Sequence, residues 1–231
     1  MDRAVGKATG RFIYLDALTT GFVVILLVSN LVAQKVIKVG PVTTSAAILL
    51  FPITYIFGDV FTEVYGYAAS RRAIWLGFFG TALLYAVSAL AIAIPADPDW
   101  HNQQAFQTVF GFIPRILASS LIAFWGGEFA NSYTMARMKL WTNGKKLWTR
   151  TIGSTVVGQM VDTTLVISLM FLGSLPLGTI FKMIWTGWLL KVGYETLATP
   201  LTYLVIGWLK RAEGVDTFDR GESFNPFRFV S

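Results

Sequence analysis

The chain has 231 residues, 54% of them hydrophobic and only 14% charged, with a mean hydropathy of +0.58 and a net charge of +6. Soluble domains carry about 25% charged residues, so the composition excludes an ordinary soluble fold. With no cysteine and one histidine, neither a disulfide framework nor a thiolate or histidine-cluster metal site is available, and no metal or cofactor is expected.

Crossing a hydrocarbon core of about 30 Å takes about 20 apolar residues. Apolar runs near Phe12 to Ala33, Val42 to Val64, Ala73 to Ile94, Phe110 to Thr134, Thr151 to Leu172 and Ile180 to Leu209 predict an all-α membrane protein. The expected architecture is a bundle of six transmembrane helices, because each span in lipid must satisfy its own backbone hydrogen bonds. The first run follows a basic stretch, MDRAVGKATGR, and is too long for the apolar region of a signal peptide. Residues 1–210 are read as one transmembrane domain and 211–231 as a polar tail, partly disordered at its end.

The two termini and the second and fourth loops hold fourteen of the nineteen Lys and Arg residues. By the positive-inside rule both termini lie in the cytoplasm, and the basic residues read as topology signals rather than as a nucleic-acid surface. The third loop, PADPDWHNQQAFQT, has acids and no base, which suits the far side. The fourth, ARMKLWTNGKKLWTR, carries an Asn143-Gly144 turn signal, with Trp141 and Trp148 expected at headgroup level.

Polar residues recur inside these runs at helical spacing. The pairs are Asn30 with Gln34, Asp59 with Glu63, Glu128 with Asn131, Gln159 with Asp162, and Lys191 with Glu195. Each pair is i,i+3 or i,i+4 and so forms one patch on one helix face. A charge at the centre of a membrane helix is opposed by roughly 2.5 to 3.5 kcal/mol even on the gentlest scale, so the acids ask for a polar intramembrane cavity. The third span offers only Thr81, Tyr85 and Ser88 and is expected at the periphery.

Pro52 and Pro200 are expected to break their helices, freeing the carbonyls of Ile48 and Thr196 beside acid pairs. Gly126, Gly127, Gly153, Ser154 and Gly158 read as close-packing positions. Arg115 is expected to snorkel to the interface. No P-loop, H-E-x-x-H or G-x-S-x-G motif is present, and the chain is not read as an enzyme.

Five ordered segments, SNLVAQK (29–35), GDVFTEVYGYAASRR (58–72), GGEFANSYTMARMK (126–139), RTIGSTVVGQMVDT (150–163) and KVGYETLATPLTY (191–203), resemble the queuosine precursor transporter family. The resemblance runs from the first span to the sixth and is weakest in the third. It implies a multi-pass protein of the bacterial inner membrane, whose partners are the lipid bilayer and a 7-deazaguanine base such as preQ0 or preQ1, with no direct nucleic-acid contact.

A 7-deazaguanine presents N–H donors on one edge and a carbonyl beside them. A carboxylate can accept two such donors, and Asn, Gln or Lys can address the carbonyl. The expected substrate-binding set is therefore Asn30, Gln34, Asn131, Gln159, Asp162, Lys191, Tyr194 and Glu195, with Glu195 or Asp162 on the amino edge. Tyr194, Tyr55 and Trp125 are the stacking candidates. Asp59, Glu63 and Glu128 are the candidates for coupling or gating, since two acids on one face repel. Lys191 and Glu195 can alternatively form a structural ion pair. A substrate-capture subunit of an ATP-driven vitamin uptake complex is the competing function, and a structural scaffold is disfavoured by five paired polar patches. A homodimer, if one forms, is expected through the third span.

Overall fold

The structure is a computed structural model that describes residues 12–33, 35–39, 42–111 and 114–228. Among the described residues, Leu15–Val32, Tyr67–Ala93, Gln103–Trp141 and Leu147–Phe171 are long and apolar enough to cross a membrane. The α-helices in chain order are α1 (Leu15–Val32), α2 (Phe51–Val60), α3 (Tyr67–Ala93), α4 (Gln103–Phe110), α5 (Pro114–Trp141), α6 (Leu147–Phe171) and α7 (Leu177–Glu213). The fold is predominantly helical, as expected, with four segments that meet the length and apolarity of a span.

The second apolar run does not begin as a helix. Val42–Ser45 (β2) pairs antiparallel with Val36–Val39 (β1), in a register that sets Val36 opposite Ser45. The β-branched Val-Thr-Thr sequence favours an extended backbone over a helical one. A 3₁₀ turn over Ala46–Leu49 then leads into α2. Pro52 is therefore a helix-start residue rather than a mid-helix break, at a place where the first N–H groups have no intrahelical partner to lose. Pro200 does lie inside α7, as expected.

After α2 the helix widens into a π-helical turn over Phe61–Tyr65 and ends at Gly66, whose φ is +88°. A side chain there would be strained, and a Cβ would sit 2.8 Å from both Asp219 Oδ1 and Thr217 Cγ2. The π turn lies over a core of Phe22, Val60, Phe61, Val64, Ala73, Ile206 and Leu209. Helices α5 and α6 pack most closely, because glycine lets their backbones approach. A Cβ on Gly127 would meet Asp162 Cβ at 2.6 Å, and one on Gly158 would meet Asn131 Cβ at 2.7 Å. The turn between them uses Asn143 and Gly144 at positive φ, as the Asn-Gly signal predicts.

Basic residues of α5, α6 and α7 meet around Glu63 of the π turn. Glu63, fully buried, accepts from Arg150 Nη2 at 2.6 Å and Nε at 3.2 Å, and from Lys210 Nζ at 2.6 Å. Lys139 donates to the Glu63 carbonyl at 2.7 Å, and Lys139 and Lys210 each lie 2.7 Å from Asp216. Burial raises the Asp216 carboxyl, but hydrogen bonds from the two lysines outweigh it and hold the group below its usual value.

The chain after α7 is docked through Arg228 as a strap along α3, and the end of the tail, where partial disorder was expected, lies outside the described residues. Asp219 accepts from the Tyr67 N–H at 2.9 Å, Arg71 donates to the Ser223 carbonyl at 3.0 Å, and Trp75 donates to the Pro226 carbonyl at 2.8 Å. Burial pushes the Asp219 carboxyl above its ordinary value, against the lowering from the Tyr67 N–H. Phe224 and Phe227 pack on Tyr67 and Trp75. The strap's composition is polar, but its few aromatic residues are spaced to reach α3. At the start of α5 Arg115 is exposed. It donates to the carbonyls of Leu169 at 2.7 Å and Leu172 at 2.5 Å, satisfying the last turn of α6.

The outer face of α3 exposes Leu76, Phe79, Leu83, Val87 and Leu90 at three- and four-residue intervals. Its other face is buried, with Thr81, Tyr85 and Ser88 pointing inward. The third helix thus has an outward apolar face and also contributes to the cavity wall.

Candidate functional site

Among the helices lies a cavity of about 300 Å³. Its polar lining comes from six helices: Asn30 on α1, Thr54 and Tyr55 on α2, Thr81 and Tyr85 on α3, Glu128 and Asn131 on α5, Gln159 and Asp162 on α6, and Lys191 and Glu195 on α7. Phe22, Leu26, Phe124 and Val166 supply apolar wall. Three of the five helical pairs, with Asn30 of a fourth, thus converge on one space, although they lie far apart in the chain.

The acids in this space have different degrees of support. Glu195 is held on both oxygens: Thr155 Oγ1 donates to Oε1 at 2.7 Å and Gln159 Nε2 to Oε2 at 3.3 Å. Asp162 is ion-paired with Lys191 of α7. The expected alternative, a Lys191–Glu195 pair within one helix, does not form, because the two side chains find partners on α6 instead. Glu128 lies against Gly58, where a Cβ would be 3.1 Å from Glu128 Oε2 and 3.7 Å from Asn131 Nδ2. Among the described residues Glu128 has no hydrogen bond or ion pair, and the charged groups near it are Glu195 and Asp162. Asn30 donates to the Leu26 carbonyl at 3.0 Å and accepts from Tyr85 at 3.4 Å.

A family profile described as "Putative vitamin uptake transporter" matches residues 45–205. The chain belongs to that family. It is 29% identical over 177 residues to the "Probable queuosine precursor transporter" of Bacillus subtilis (strain 168), an alignment covering 76% of this chain and 77% of the relative. No solved structure matches. In this vitamin uptake transporter family member the matched residues hold every polar cavity residue except Asn30, while α1 and the strap lie outside them.

Several expectations need correction. Asp59 and Glu63 share a helix face in sequence, but the π turn sends them to different surroundings. Asp59 is 3% exposed and faces Asn131, Glu128 and Glu195, with Oδ1 unpartnered, whereas Glu63 is locked among Arg150, Lys139 and Lys210. Tyr194 does not line the cavity, and Trp125 sits in a separate aromatic cluster with Trp75, Phe129 and Phe227. Tyr55 is the stacking candidate that does line it. Gln34 lies outside the described residues.

The sequence reading missed Thr155, Thr54 and the inward role of Tyr85. A hydroxyl in a helix bonds its own i−4 carbonyl as easily as a partner, as Thr155 does to Thr151 at 2.7 Å. Spacing alone therefore carries no signal for its second contact.

Proposed function

We propose that this chain is a bacterial inner-membrane importer of queuosine precursors, taking up a 7-deazaguanine base through the cavity between α1, α2, α3, α5, α6 and α7. The observation that carries the reading is the convergence of three separate polar pairs and Asn30 on one space of about 300 Å³, at the lower end of the roughly 300–1,000 Å³ typical of small-molecule sites. The named relative adds the substrate class. In this reading the spans are six, both termini are cytoplasmic, and residues 1–210 form the transport domain with a cytoplasmic tail after it.

Glu195 is suited to accept the two N–H donors of the guanine-like edge, because Thr155 and Gln159 fix its carboxylate while leaving lone pairs for a ligand. The Lys191–Asp162 pair is placed to address the ring carbonyl, with Asn30, Asn131 and Gln159 as further polar contacts and Tyr55 as a ring to stack on. Asp59 lies between the cavity and the Glu63 cluster, a position suited to coupling. The Glu63 cluster itself is suited to gating.

The test is growth of a strain lacking both queuosine-precursor synthesis and its own importer, on low precursor, with queuosine scored in tRNA. Restoration by this chain, and its loss in Glu195→Gln at equal membrane expression, is the expected result. Failure of the wild-type chain to restore the modification from either precursor would refute the reading.

A further inference from the structure

The cavity's unused hydrogen-bonding capacity is mostly of one kind. Among the described residues the Glu128 carboxylate has no hydrogen-bond donor, and Asn131 Oδ1, Gln159 Oε1 and one oxygen of Asp59, Oδ1, are likewise unpartnered. Gln159 and Asp59 are both more than nine-tenths buried, at 9% and 3% exposure. The cationic group in the lining, Lys191, is already paired with Asp162, and among the described residues neither Glu128 nor Asp59 forms an ion pair. Uncompensated acceptors in a low-dielectric site are costly until something supplies donors and positive charge.

Resting on the import reading above, we propose that Glu128 is a specificity-determining residue, and that the cavity selects a 7-deazaguanine bearing a protonated aminomethyl arm over one bearing an uncharged nitrile. An ammonium group supplies three donors and a charge that compensates Glu128. A nitrile nitrogen is an acceptor and would face other acceptors. Gly58 makes the arrangement feasible, since any Cβ there would press on the Glu128 carboxylate. Glu195, held by Thr155 and Gln159, addresses the ring edge, while Glu128 and Asn131 are left for the arm.

The experiment is titration calorimetry at pH 7 on the purified full-length protein with 7-aminomethyl-7-deazaguanine and 7-cyano-7-deazaguanine. The expected result is about tenfold tighter binding of the amine, the scale of one charge-assisted hydrogen bond. Glu128→Gln is expected to abolish the preference, with cooperative thermal unfolding as the check that the variant is folded. Equal binding of the two compounds by wild type overturns the selectivity inference and leaves the import reading standing. A preference that survives in Glu128→Gln overturns the assignment to this residue. Binding of neither compound by protein that unfolds cooperatively removes both. If Glu128→Gln does not fold, the wild-type ratio alone decides.

Discussion

Arg150 at the start of α6 grips Glu63 of the π turn by a two-pronged contact, Nη2 to Oε1 at 2.6 Å and Nε to Oε2 at 3.2 Å. Both side chains are buried, so the pair joins two segments 87 residues apart where water cannot replace either partner.

Arg150→Ala removes the two-pronged contact but leaves Glu63 with Lys210 at 2.6 Å and Lys139 at 3.5 Å. The expected loss is therefore below the roughly 3–5 kcal/mol of a fully stranded buried charge, read as a lower midpoint of thermal unfolding in detergent. The double variant Glu63→Leu, Arg150→Leu leaves Lys139 and Lys210 with Asp216, so it is expected to be more stable than Arg150→Ala alone. Additive losses would show that the pair is not a coupled unit.

Helices α5 and α6 have no space for a methyl group at their crossing. Gly127→Ala and Gly158→Ala are expected to destabilise by about 1–3 kcal/mol through overpacking and to reduce uptake, because the atoms displaced belong to Asp162 and Asn131. Gly193→Ala in α7 meets nothing within 4 Å and is expected to be neutral or stabilising, since alanine favours the helix. Thermal unfolding of the three variants side by side checks this.

Attachment of the strap should depend on pH. The Asp216 carboxyl is depressed in the folded protein, so its contribution is fully present above the unfolded value of about 3.9 and is lost as pH falls through the folded value. Asp219 is raised, so its ionisation weakens docking as pH rises and protonation opposes the Asp216 loss. Asp216→Asn is expected to loosen the strap at neutral pH and to flatten the acid dependence. Cleavage after Arg220 by a protease active across the range gives the readout, and identical profiles for wild type and variant would contradict the role given to Asp216.

Gly66 tests the strap from its other side. Gly66→Ala places a side chain at φ +88° and 2.8 Å from Asp219 Oδ1, so faster proteolysis of the strap and a stability loss on the order of 1–3 kcal/mol are expected. Unchanged proteolysis would mean that the strap is held by Arg71 and Trp75 alone.

Paired polar residues at helical spacing are readable without coordinates, because the α-helix fixes which side chains share a face, and the pairs in α5, α6 and α7 do meet in one cavity. Close packing at Gly127 and Gly158 is readable for the same reason. Partner choice across helices is not. Lys191 could reach Glu195 one turn along or Asp162 on α6, and only the crossing of α6 with α7 decides for Asp162. Nor does spacing show that a π turn would separate Asp59 from Glu63, or that a hairpin would replace the start of the second span. The strap is hidden by its polar composition, since its contacts are mostly backbone carbonyls meeting side-chain donors on α3.

The most direct test of the import account is counterflow in liposomes holding this protein alone, preloaded with unlabelled 7-aminomethyl-7-deazaguanine and given a trace of labelled compound outside, without ATP. The account predicts transient accumulation of label inside, abolished by Glu195→Gln. Saturable binding of the base with no exchange would contradict it, and would make the chain a capture subunit that needs an ATP-driven partner.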